Sequence, residues 1–147
     1  MLAVTHNTNC LSFRFRLLYK EYHAFVGSIY NDGFIAELDA TTWRSGLRGS
    51  TDPHISAPRD FAKDSKGNII SINAAGAATV TAKNARGTTY GGATRVLRAS
   101  SPIKPGHHYL FLSIFDQGDR AYDSAVFPDP LPTKNSTPSP TGIPTTQ

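Results

Sequence analysis

Leu11-Ser12-Phe13-Arg14-Phe15-Arg16-Leu17 alternates apolar and polar side chains without a break. Successive side chains of a strand point to opposite faces. A period of two therefore sends Leu11, Phe13, Phe15 and Leu17 inward and leaves Ser12, Arg14 and Arg16 outside. The stretch predicts a half-buried strand, and with it a sheet that rests one face on a core.

Working outward, the same signals recur. Residues 19–27 are mixed and fit one helical turn. Asn31-Asp32-Gly33 is a turn, and 34–38 reads as a strand. A polar connection follows over 41–66, with Gly46, Gly49, Pro53 and Pro58 inside it. Loops of that length are usually functional or mobile. Lys66-Gly67-Asn68 is a turn leading to a strand at 68–72, with shorter candidates at 79–82 and 93–99. The run 108–115 is apolar on both faces, which predicts a central, fully buried strand carrying Tyr109, Phe111 and Phe115 on one side and Leu110, Leu112 and Ile114 on the other. A last short strand is expected at 124–127. Short strands between Gly, Pro and Asn turns, with no amphipathic helix, predict an all-β fold: an antiparallel β-sandwich, jelly-roll-like, with long polar loops.

The chain has 147 residues, enough for one domain with a core of its own. Residues 1–10 read as a disordered or remnant front segment, 11–131 as the sandwich, and 132–147 as a Pro/Ser/Thr-rich linker expected to be disordered, with a glycosylation sequon at Asn135-Ser136-Thr137. The net charge is +4, but the Lys and Arg are scattered, which argues against a nucleic-acid partner. No apolar run reaches the roughly 20 residues of a membrane span, and residues 1–10 show neither part of a signal peptide. The lone Cys10 can form no internal disulfide and reads as an inert thiol near a frayed end.

The acids are distributed unevenly. Of eleven, Asp116, Asp119, Asp123 and Asp129 fall within fourteen residues. Asp116, Asp119 and Asp123 on a turn containing Gly118 offer oxygen ligands for a hard cation, and Glu21 or Asp32 could complete such a set; calcium is the candidate ion. The spacing is not that of an EF-hand. The alternative is a solvated turn in which Arg120 and backbone N–H groups satisfy the carboxylates. Glu21 with Asp32, Asp39 or Asp116 could also form the acid–base pair of a glycan hydrolase, although no motif supports it. His107 and His108 point to opposite faces of one strand and cannot easily share a metal. His54 follows Asp52-Pro53, a turn. Trp43 and Tyr90 are expected to lid the ends of the core.

Three segments resemble the bacterial choice-of-anchor L domain, a surface-protein domain that precedes different anchoring signals. They are the run from Lys20-Glu21-Tyr22 through Asn31-Asp32-Gly33-Phe34 to Leu38-Asp39, then Ser71-Ile72-Asn73, and above all Asp116-Gln117-Gly118-Asp119-Arg120-Ala121-Tyr122-Asp123-Ser124-Ala125-Val126-Phe127. Tyr19-Lys20 stand where the family has Ser-Glu, and Pro128-Asp129-Pro130 replace its usual Leu/Ile-Asp-Asn. The strands that precede the Phe-x-Phe segment in the family are reduced here, which suggests a truncated front. The resemblance implies an extracellular or cell-surface β-rich domain of adhesive or structural role, with an unspecified surface ligand, glycan or protein, and no catalytic activity. A glycan hydrolase and a non-functional remnant are the alternatives.

Overall fold

The computed structural model describes residues 1–20, 22–28, 30–46, 55–117 and 123–129, and the backbone of 133–134. In chain order the strands are β1 (Leu2–Val4), β2 (Cys10–Tyr19), β3 (Gly33–Leu38), β4 (Arg44–Ser45), β5 (Ile55–Ser56), β6 (Ile70–Ser71), β7 (Gly92–Ala93), β8 (Leu97–Pro102), β9 (Gly106–His108), β10 (Leu110–Phe115), β11 (Ser124–Pro128) and β12 (Thr133–Lys134). Single turns of 3-10 helix occupy Gly76–Ala78 and Lys83–Ala85. The protein is an all-β sandwich with antiparallel sheets and no closed barrel.

β2 is the spine. Its first half pairs with β8 on one side and β12 on the other, and its second half with β7 and β11. Leu11, Phe13, Phe15 and Leu17 are all buried, as their alternation requires. The second sheet has the order β10-β3-β6. The two sheets meet where Phe15 packs on Phe34, ring centroids 4.8 Å apart. Leu17, Tyr19, Ala36, Ile70, Leu97 and Ala99 complete this main core.

β3, not β10, is the central strand. Phe34 and Ala36 face the main core, while Ile35 faces a second cluster with Ala57 and Phe115. Among the described residues β10 has one partner, β3, and is an edge strand. Its inner side chains overhang the rim of the sandwich, so Leu112 and Ile114 stay 40% and 46% exposed and Tyr109 55%. The apolar run predicts burial on both faces; among these residues Phe115 alone is buried, because an edge strand has no second neighbour to cover the others.

Three further expectations are corrected. Residues 1–10 are ordered rather than disordered: β1 pairs with β9, Val4 is buried against Leu11 and Ile103, and Cys10 is a buried residue of β2. The pairing of Thr133–Lys134 with Cys10 and Leu11 carries the first sheet past residue 131, into the segment read as linker. The tail beyond Lys134 lies outside the described residues. The expected strand 93–99 is split, because Thr94 takes over the ladder at the bend: its N–H donates to Leu17 O at 2.9 Å and its Oγ1 accepts from Leu17 N at 3.1 Å.

Within the polar stretch 41–66, the described residues 55–66 are tied to the sheet by hydrogen bonds. Beyond the short β6, the free edge of β3 is capped by Asp60, whose Oδ1 accepts from Ala36 N (3.0 Å) and Ala62 N (2.9 Å), while Phe61 N donates to Ala36 O. Trp43 stacks on Phe115, centroids 6.2 Å apart, and Tyr90 packs beside Leu18, so both lid core clusters as their loop positions suggested. His108 and Asp39 bond at 2.8 Å, which holds the imidazole above its usual range and the carboxyl below.

The contrast between spine and rim is measurable by urea denaturation. Phe15→Ala should cost about 3–5 kcal/mol, whereas half-exposed Leu112→Ala should cost clearly less, on the order of 1 kcal/mol. Equal costs would mean that β10 is buried in solution.

Candidate functional site

Two cavities open on either side of Phe115. The cause is local: the Phe115 ring lies directly over Gly33, its register partner, where an added Cβ would come within 2.5 Å of the ring edge. A side chain at position 33 would push the ring out, so this glycine sets the wall between the cavities.

The larger is a groove of about 560 Å³. Its apolar lining includes Ile55, Ile69 and Phe115, and its polar lining includes Asn31, Asn68, Asn73, Gln117, Ser56 and Lys63. These amides are positioned by fixed partners. Asn73 Nδ2 donates to Asn31 Oδ1 at 3.2 Å, and its Oδ1 accepts from Gly27 N at 2.7 Å. Asn31 N donates to Gln117 O. Asn68 is held by Asp64, a buried carboxylate at the centre of the turn: Oδ1 accepts from Lys66 N (2.8 Å) and Asn68 N (2.9 Å), and Oδ2 from Ala75 N (3.0 Å). Burial acts to raise the Asp64 carboxyl, but the N–H donors of Asn68, Ala75 and Lys66 outweigh it and hold the group below its ordinary range. Neither the groove nor Asp64 was apparent in the sequence. The only signal was Asp64 two and four residues ahead of the N–H groups of a Lys-Gly-Asn turn.

The smaller cavity, about 190 Å³, is lined by Asp32, Ile114, Phe115, Asp116, Asp123 and Ser124. Of the five acids read as a cation set, Asp32, Asp116 and Asp123 thus share one space, while Asp119 and Glu21 lie outside the described residues. Asp116 follows β10, Asp123 precedes β11 and Asp32 precedes β3, so the ends of three strands bring them together. Asp32 is 1% exposed. Its Oδ2 accepts from Ser124 Oγ at 2.6 Å, and its Oδ1 has no partner among the described residues. The hydroxyl of buried Tyr19 is also without one; burial, and then the negative charge of Asp32, raise that phenol well above its ordinary range. Among the described residues, no three His, Cys, Asp or Glu side chains converge tightly enough to cage a metal as they stand. Asp39, a possible partner in an acid–base pair, is engaged by His108.

These features define a class: an all-β sandwich with cavities built from strand ends and loops. The Choice-of-anchor L domain model matches residues 2–129, and the chain belongs to that family. The match begins at Leu2 and takes in β1, in keeping with the ordered front segment. Membership points to a bacterial protein of the cell surface or exterior, and the family is not known as enzymatic. No curated protein and no solved structure matches the chain. Among the described residues no helix is long and apolar enough to cross a membrane.

Two buried carboxylates should bend stability in opposite directions with pH. Asp64, lowered in the fold, stabilises above the ordinary Asp value of 3.8, and this is lost as pH falls through its folded value. Asp64→Ala should cost about 2–4 kcal/mol at pH 7, since it strands several N–H donors. Asp60, pushed up to about 7 mainly by burial, holds its proton in the fold, so its contribution fades as pH rises from about 4 to 7. Melting curves of Asp60→Asn should lack that decline; an unchanged decline would assign it to another group.

Proposed function

We propose that this chain is a non-catalytic binding module displayed on the bacterial surface, and that the groove beside Phe115 takes a neutral, hydroxyl-rich ligand such as a surface glycan. The observation that carries this is the groove's lining: amides, hydroxyls and one lysine beside apolar side chains, with no carboxylate or imidazole among the described lining residues. Each amide offers both donors and acceptors, which matches sugar hydroxyls that do the same. Ile55, Ile69 and Phe115 suit the C–H face of a pyranose ring. A ligand site of this size with a few fixed polar groups is typical of small-molecule recognition.

The lining also favours binding over hydrolysis. Glycoside hydrolysis requires two carboxylates flanking the bond, and Asp32, Asp39 and Asp116 do not line this groove. A protein ligand would call for a broader apolar surface with a buried anchor.

Glycan-array screening followed by calorimetric titration tests the reading. Neutral oligosaccharides should bind, and Asn68→Ala and Lys63→Ala should weaken them at least tenfold without lowering the melting temperature substantially. Binding that survives both substitutions would move the site elsewhere; release of reducing ends from the bound glycan would replace a binding module with a hydrolase.

A further inference from the structure

We propose that Asp32, Asp116 and Asp123 bind a Ca²⁺ ion in the cavity between the ends of β3, β10 and β11. An acid cluster alone would not carry this, since a solvated turn explains clustered aspartates equally well. The second observation is Asp32 itself. Its side chain is 1% exposed and lines the cavity, with one oxygen satisfied by Ser124 Oγ and the other, Oδ1, without a donor among the described residues. A buried acceptor left unpaired is costly, and a carboxylate oxygen more so. Among the described residues no salt bridge reaches Asp32 or Asp123. Tyr19, the nearby buried hydroxyl, also lacks a partner among the described residues.

The donor set selects the ion. All the groups are oxygens, without His or Cys, which favours a hard cation over zinc or copper. They sit at strand ends and in a roomy cavity, which suits the variable six-to-eight coordination of Ca²⁺ better than the strict octahedron of Mg²⁺. Asp116 and Asp123 are exposed, and each lies just outside a strand. Ca²⁺ would draw them toward Asp32 Oδ1 and complete its shell with Ser124 Oγ and water. The half-formed cage predicts weak affinity, about 10⁻⁴–10⁻³ M, as in other extracellular modules. The ion would pin the rim where β10 overhangs, joining the sheet of β3 to that of β11 through three carboxylates.

The experiment uses the full chain, stripped with chelator and titrated with CaCl₂ by calorimetry, with melting curves in parallel. Binding heat is expected at sub-millimolar to millimolar Ca²⁺, with weaker heat from MgCl₂. At a hundredfold excess over the dissociation constant the melting temperature should rise by about 5 °C or more. Asp32→Asn changes a buried group and could lower folding by itself, so the deciding variants are Asp116→Asn and Asp123→Asn, both at exposed positions. Each should weaken Ca²⁺ at least tenfold, and Asp123→Asn should leave the melt in chelator unchanged. Identical wild-type melts and no heat in Ca²⁺ would overturn the site, as would a full Ca²⁺ response in the two variants. Glycan binding assayed separately, in chelator, distinguishes failure of the ion site from failure of the groove.

Discussion

The contact of Phe15 with Phe34 is what makes two sheets into one domain. Phe15 stands near the middle of β2, the longest strand, and Phe34 near the start of β3. β2 is paired along both edges, so its inner row of Leu11, Phe13, Phe15 and Leu17 cannot rotate out of the core without breaking four strand pairings. A one-residue slip would send that row to solvent and bring Arg14 and Arg16 inward, so the register is strongly specified. Arg14 anchors the outer face, bonding Asp129 just beyond β11 at 2.7 Å.

The sheets are short and irregular, and side chains stand in for missing strand partners. Asp60 continues the edge of β3 where β6 stops, and Thr94 bridges β2 where β7 gives way to β8. Both are among the least exposed polar residues in the protein. A buried backbone N–H must find an acceptor, and a short Asp or Thr can supply one where the chain bends away from a regular ladder. Asp64 does the same for a turn, with one carboxylate taking the N–H groups of three residues. The long stretches that look like polar loops are held by these internal bonds, which is how the groove amides acquire fixed positions.

The cavities lie where regular pairing ends. β10 leaves β3 at Phe115, and the chain then crosses from one sheet to the other to begin β11. The alternation of neighbours sorts the chemistry there: Asn31 and Gln117 face the groove, while Asp32 and Asp116, each one residue away, line the acidic cavity. Phe115 borders both spaces, held in place by Gly33 beneath it and Trp43 beside it.

The sequence by itself determined the all-β class, the inward row of β2, the strand at 34–38, the end-lidding aromatics and the family, because those depend on local periodicity, turn residues and a long contiguous motif. It also marked Asp116, Asp119 and Asp123, with Glu21 or Asp32, as candidate cation ligands. Tertiary structure alone decided the rest. The sequence 108–115 is equally apolar on both faces whether central or at an edge, since hydrophobicity reports burial but not how many neighbours a strand has; only the β10-β3-β6 order made it a rim. Residues 1–10 looked featureless because Leu2–Val4 is too short for a periodic signal, and its strand forms only through the distant partner Gly106–His108. The groove was invisible for the same reason: its amides are separated by up to 86 positions, from Asn31 to Gln117, and nothing local in the chain marks residues that meet only when two sheets close around Phe15 and Phe34.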